Sequence, residues 1–455
     1  MSKPSNQSFP PQIKYIVWNE ACERYSYYGM KSILVIFFVT YFQMDKHEAV
    51  SDYHFFSAAC YIFPLLGAYL SDRYWGKYKT IFLLSLVYCL GHVFLAVFEH
   101  VKEGFYVGLA LIALGAGGIK PCVSAHVGDQ FKVSQKALLN KVFSLFYFMI
   151  NFGSLVASLV TPWTLQKFGP AVAFGIPGGL MLCATIIFRM GKDHFVHVPP
   201  SGKAEYGAWA ILKTGLKGCF SSQGFVATMK AHHPARAVED VLAVLSVSKL
   251  FVAVSFFWAL FEQHGSSWVV QASQMNLQCS LFGREIDLLP SQLPGLNPLM
   301  VMTLIPLFTY GVYPFVEKTF RLELTSLRKM IAGMFVAALA FMVVMVIQYV
   351  LDAGHQLSVL WQIIPYLLIT IAEVMVSITG LHFAYTQAPR SMRSTIMSMW
   401  LLTVFVGNMI AALVAKVNVF TGYSYYLFFA VMMGVAAVVF LAFARRYTPK
   451  SYMED

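Results

Sequence analysis

The sequence predicts an all-α integral membrane protein of twelve transmembrane helices, arranged as two six-helix halves with both termini in the cytoplasm. Three observations carry that prediction: an excess of apolar residues, a series of long apolar runs, and a lopsided distribution of loop charge. Of 455 residues, 58% are hydrophobic and 12% charged; soluble domains run near ~45–50% and ~25%. A soluble core of this composition would leave large apolar patches on its surface, whereas lipid accepts them. A spanning helix needs about 20 apolar residues. The runs are unbroken rather than alternating, which argues against a strand barrel.

The expected spans are 14–42, 53–71, 79–98, 104–127, 139–166, 170–190, 243–272, 295–316, 328–351, 358–386, 394–417 and 424–444. With the N-terminus placed inside, cytoplasmic segments hold 24 of the 33 Lys and Arg residues. Outer loops hold five: Lys46, Lys102, Lys167, Arg284 and Lys416. That asymmetry follows the positive-inside rule and accounts for the net charge of +11 without nucleic acid. The polar, Pro-bearing N-terminal stretch lacks the apolar core of a cleavable signal, so the first helix is expected to act as the insertion signal. Five of the seven cysteines fall within expected helices, which implies no disulfide framework.

The longest non-spanning segment, 191–242, separates an N-terminal bundle (1–190) from a C-terminal one (243–455). It carries Pro199-Pro200 and His232-His233-Pro234. Either it is a plain linker, or a short helix over 206–218 lies on the membrane surface, with Trp209, Ile211 and Leu212 toward lipid and Lys213 and Lys217 toward headgroups. The His pair lacks further metal-ligand spacing. Two halves around a midplane site is a transporter plan.

Charge inside the spans is costly, at ~2.5–3.5 kcal/mol per residue on insertion scales, and marks functional positions. The first span carries Glu20, Glu23, Arg24 and Lys31. At 100° per residue, Glu20, Arg24, Tyr27 and Lys31 form one polar stripe, with Glu23 beside it. The fourth span carries Lys120, the seventh Glu262 and the tenth Glu373; His54 and His92 lie in the second and third. If the halves face one another, one wall of the cavity is cationic (Lys31, Lys120) and the other carboxylate (Glu262, Glu373). A zwitterion with separated charges, such as a short peptide, fits that field. The bland alternative is that these charges only pair between helices and stiffen the bundle. Lys249, near the cytoplasmic end of its span, can snorkel to the headgroups.

Gly67-Ala-Tyr-Leu-Ser-Asp72-Arg73-Tyr-Trp-Gly76-Lys77-Tyr-Lys79 resembles the signature loop of the major facilitator transporters. Glu20-Ala-Cys-Glu23-Arg24-Tyr25 is similar to the E-x-x-E-R-F motif of the proton-dependent oligopeptide transporter family. Gly117 through Ser124 with Gly128-Asp129-Gln130-Phe131, Phe146 through Leu155, Phe257 through Gln263, and Glu373 through Pro389 resemble its fourth, fifth, seventh and tenth helices. The resemblance implies a major facilitator fold and proton-coupled import of di- and tripeptides by alternating access. It implies proton coupling through Glu20, Glu23, Arg24 and Glu262, the last pairing with Lys31 or a neighbour in gating. It implies a peptide site of Lys31, Lys120, Asn151, Asn297 and Glu373, with Tyr27, Tyr28, Tyr61, Trp258 and Trp400 shaping side-chain pockets. His54, expected near the outer end of its helix, resembles a histidine of animal peptide transporters and suits proton uptake.

The chain departs from that pattern in places. Lys31 stands where the family usually has Arg, keeping charge but losing the bidentate fork. His382 stands where relatives often carry an acid. The 191–242 segment lacks two extra apolar helices of many bacterial members, and 352–357 is a short loop where animal members carry a large insertion. A compact bacterial member, working as a monomer in the inner membrane, is the simplest reading. Family relatives carrying nitrate or another organic anion are the transport alternative; Glu373 argues against them, since an anion needs no carboxylate partner. A membrane enzyme or sensor is the other class. No H-E-x-x-H, G-x-S-x-G or phosphate loop is present, and no cofactor or metal is expected.

Overall fold

The computed structural model describes residues 9–131, 135–200, 208–219, 224–281, 284–389 and 392–448. The first stretch of chain folds into α1 (Ile13–Thr40), α2 (Lys46–Leu70), α3 (Gly76–Val97), α4 (Lys102–Asp129), α5 (Lys136–Phe168) and α6 (Pro170–Met190). Two short helices follow, α7 (Ala208–Cys219) and α8 (Phe225–His232). The rest forms α9 (Ala235–Phe261), α10 (Ser267–Ala272), α11 (Leu296–Leu307), α12 (Tyr313–Phe320), α13 (Ser326–Asp352), α14 (Ile363–Glu373), α15 (Thr379–Thr386), α16 (Arg393–Val417) and α17 (Tyr423–Arg446).

Among the described residues, ten helical stretches are long and apolar enough to cross a membrane. One of them, Lys46–Val97, has 52 residues, more than twice what one crossing needs. The neighbours of α4 show that it folds back. Cys60 and Gly67 of α2 lie beside Gly117 and Gly118, so α2 runs with α4. Tyr88 and Gly91 of α3 lie beside Gly115 and Ile112, so α3 runs against it. The chain reverses after a π-helical turn, Ser71–Trp75, at Gly76, whose φ of 72° favours glycine. A Cβ on Gly67 would sit 1.9 Å from the Gly118 carbonyl oxygen; small residues let these backbones touch. The 28-residue α1 is long enough to span, but it carries Glu20, Glu23, Arg24 and Lys31.

Buried apolar side chains form two large clusters. One draws on residues 13–195 together with Val269, Val270 and Ala415. The other draws on residues 211–440. They are hydrogen-bonded to each other at one end of the molecule. There Ser51 Oγ donates to the Ala412 carbonyl at 3.0 Å, His54 meets Asn408 and Ser266, and Gln292 Nε2 donates to the Leu159 carbonyl at 3.0 Å.

Several elements differ from expectation. The second helix starts at Lys46, capped by Asp45, whose Oδ1 accepts from the His47 amide at 2.8 Å. His54 therefore lies two turns inside and is fully buried. α9 begins at Ala235, within the segment read as linker. The short helix expected over 206–218 is described as Ala208–Cys219, its first residues and the Trp209 side chain lying outside the described set. Ile211 is buried, as is Met229 of α8, and Gly215 lies against Met229, so this face packs on protein rather than lipid. A two-stranded hairpin, β1 (Gln278–Leu281) with β2 (Arg284–Asp287), occupies the connection after α10. Lys249 and His382 are both exposed.

Candidate functional site

On α1, Arg24 Nε lies 3.0 Å from Glu20 Oε1, one turn back, and the same guanidinium pairs with Glu23. The i, i+4 spacing puts the first pair on one face. Two turns further on, Lys31 Nζ lies 2.7 Å from Glu262 Oε2. Lys31 and Glu262 are 8% and 5% exposed, and they bring together the two buried clusters. Glu262 sits where α9 ends and a 3-10 turn, Glu262–Gly265, begins.

Lys120 has no carboxylate partner among the described residues. Its Nζ instead lies 4.1 Å from the Tyr61 ring centre and 4.8 Å from that of Tyr27, cation–π distances. Glu373 Oε2 accepts from Asn297 Nδ2 at 2.7 Å, and the same nitrogen approaches Thr370 Oγ1 at 3.2 Å. Glu373 is the last residue of α14, immediately before a π-helical turn, Val374–Ile378. Both carboxylates of this wall therefore stand at helix discontinuities, a construction common at functional positions.

These groups surround a cavity of about 210 Å³. Tyr27, Tyr28, Lys31, Tyr61, Asn151, Trp258, Asn297 and Glu373 line it, as does Glu262. Trp258 Nε1 is buried without a hydrogen-bond partner among the described residues. Two expected members stand off. Lys120 reaches the cavity only through the rings of Tyr27 and Tyr61. Trp400 packs behind Trp258 and Phe251, at ring distances of 6.3 and 5.4 Å. Glu20, Glu23 and Arg24 form a layer behind the cavity, with Gly153 of α5 close against Arg24.

His54 lies at the hydrogen-bonded end. Asn408 Nδ2 donates to the Val404 carbonyl at 3.0 Å, which turns its Oδ1 toward His54 Nδ1, 2.9 Å away. A carbonyl oxygen only accepts, so His54 Nδ1 carries a proton. In the neutral ring Nε2 then accepts from Ser266 Oγ at 2.9 Å. Protonation at Nε2 would displace that donation and leave the serine hydroxyl to turn.

Sequence reasoning missed Tyr53, His264 and Gly265, which also line the cavity. It also missed Tyr147, Ser154 and Ser158, although the signal was there. With Asn151 they recur at helical spacing along α5, a polar stripe in an apolar span.

Charged side chains around a central cavity, held by a many-helix apolar bundle, define a multi-span membrane transporter. The POT family model matches residues 78–422. A crystal structure of the POT family transporter PepTSo is 40% identical, with a TM-score of 0.90 over 99% of this chain and 100% of that one. An auto-inhibited POT family peptide transporter is 37% identical, with a TM-score of 0.90 over 98% and 99%. Human solute carrier family 15 member 2 is 39% identical over 367 residues, 75% of this chain and 50% of the relative. The chain belongs to the POT family, the proton dependent oligopeptide transporters. It spans about half the length of the curated relatives it matches.

Proposed function

We propose that the chain is a proton-coupled symporter that imports di- and tripeptides by alternating access. The observation that carries this reading is the cavity's polarity. Lys31 lines one wall, with Lys120 behind it across the rings of Tyr27 and Tyr61, and Glu373, held by Asn297, stands on the other. A peptide carboxylate would go to the lysines and its ammonium to Glu373. Trp258 Nε1 offers a donor to the backbone between them. The names of the PepTSo and auto-inhibited neighbours agree with this reading.

In this reading α1, the folded-back pair α2 and α3, and the remaining long stretches make twelve spans. They divide as 1–190 and 243–455 around the 191–242 segment, with both termini cytoplasmic, in a bacterial inner membrane, and the monomer is the working unit. The hydrogen-bonded end is then the outer end, and the cavity is shut from outside. A proton on Glu262, or on the α1 carboxylates, removes the charge that holds Lys31 or Arg24. Peptide carboxylate then competes for the freed cation and the halves rock apart. His54, bonded across that end, is placed to take up the proton first.

The test is dialanine uptake by the purified protein in liposomes, with and without an inward proton gradient. Gradient-driven accumulation is expected. Failure to accumulate any di- or tripeptide, with gradient-driven nitrate uptake instead, would replace this reading with that of an anion carrier.

A further inference from the structure

We infer that a second, basic pocket at the opposite end of the N-terminal bundle binds a phosphate group, presented by an anionic membrane lipid or by a soluble phosphate. The pocket has a volume of about 400 Å³. It forms where three elements end: the turn into α3, the last turns of α4, and the segment after α6. Gly76 makes the shape possible. Its φ of 72°, which favours glycine, turns the chain, and the Val198 carbonyl and Pro200 lie alongside.

Five basic side chains line the pocket: Lys77, Lys79, Lys192, His126 and His197. Lys77 is neutralised by Asp129 at 2.6 Å. Lys79 and Lys192 are exposed, and neither has a carboxylate partner among the described residues; Asp193, beside Lys192, is exposed as well. His197 Nε2 donates to the Lys192 carbonyl at 2.8 Å and so ties that lysine's backbone to the pocket wall.

His126 makes this a built site rather than a patch of surface charge. It is 1% exposed, lines the pocket, and its Nε2 has no hydrogen-bond partner among the described residues. Buried polar atoms are nearly always bonded, so an unpaired ring nitrogen on a residue in the wall of a cationic pocket points to an acceptor that belongs there. Phosphate oxygens accept charge-assisted hydrogen bonds from Lys and His together.

The setting favours the lipid source. The pocket lies at the ends of membrane-length helices. Tyr74 and Trp75 beside it are 55% and 39% exposed, as aromatic side chains at headgroup depth are. Basic pockets between helices at this depth hold anionic headgroups.

The test uses the full chain in neutral detergent micelles at fixed ionic strength. Retention is followed by native mass spectrometry and thermal melting during titration with phosphatidylglycerol, phosphatidylcholine or inorganic phosphate. The wild type should retain phosphatidylglycerol in preference to phosphatidylcholine. The double variant Lys79→Gln/Lys192→Gln should need about tenfold or more phosphatidylglycerol for half-saturation, since each surface lysine contributes to anionic lipid binding. Its unliganded melting curve and gel-filtration profile, matching the wild type, control for folding. His126→Phe should lose binding too, and His126→Gln, which keeps a donor, should retain most of it. Inorganic phosphate that binds with the same lysine dependence and displaces phosphatidylglycerol would keep the phosphate site and assign it to a soluble ligand. Equal retention of both lipids, or phosphatidylglycerol binding untouched by the double variant, would overturn the inference.

Discussion

Arg24 meets its two carboxylates on its own helix, whereas Lys31 meets Glu262 from an element 231 residues away along the chain. The first cluster can ride through a rigid-body movement unchanged. The second must break whenever the two buried clusters part. Charge placed within one element stores an ionisation state; charge shared between elements reports, and controls, their separation. A buried pair is poor stabiliser material, because desolvation offsets most of the attraction, yet removing one partner is severe. That asymmetry suits a contact that must be conditional.

The largest expected effect comes from cutting the shared pair. Glu262→Gln leaves Lys31 buried and uncompensated, at a cost of about 3–5 kcal/mol to this conformer. Thermal melting should fall and gradient-driven dialanine uptake should drop to background. Lys31→Gln/Glu262→Gln should melt above the sum of the singles, by a coupling of roughly 0.5–3 kcal/mol. Additive losses would mean that the pair does not join the two clusters in solution.

Next comes Glu373→Gln, which keeps an acceptor near Asn297 but removes the charge. Hydrogen bonds to charged groups are worth about 1.5–3 kcal/mol, so dialanine affinity should weaken ten- to a hundredfold while melting stays near wild type. Unchanged uptake would remove the ammonium-binding role of Glu373.

A smaller loss follows from His54→Phe. It cuts the bonds to Asn408 and Ser266, each worth about 1 kcal/mol. A disulfide between cysteines placed at Ser51 and Ala412 should then form more slowly. An unchanged rate would show that closure rests on packing rather than on these polar contacts.

The smallest effect on stability is expected for Glu20→Gln. Glu23 still neutralises the guanidinium, so the change should stay at about 1 kcal/mol. Uptake, however, should lose its dependence on the proton gradient. A melting loss as large as that of Glu262→Gln would erase the contrast between the two systems.

Much of this was legible beforehand because membrane helices leave few choices. Periodicity placed Glu20, Arg24, Tyr27 and Lys31 on one face, and the cost of intramembrane charge singled out Glu262 and Glu373. The pairing of Lys31 with Glu262 could only be anticipated by resemblance, since no local pattern links residues so far apart. Lys120 shows the limit of counting charges. Its nearest partners are aromatic rings from two other helices, which no charge inventory reveals. Trp400 fits the composition of a pocket wall yet packs behind Trp258, because depth from a cavity surface is a tertiary property. The early start of α2 was missed because its first turns are polar, although Asp45 followed by Lys-His-Glu was a readable cap.

The π-helical turn after Glu373 has one more consequence. An extra residue in the turn shifts the angular phase of everything beyond it by about 100°. A helical wheel drawn through residues 363–386 is thus correct on either side of the turn and wrong across it. That phase step separates the face on which Glu373 addresses the cavity from the face that carries Ala384, eleven residues on and buried, which an unbroken helix would hold within about 20° of it. It also makes Val374–Ile378 the place where losing a single residue could straighten the rod, keep its length almost unchanged, and re-aim the carboxylate.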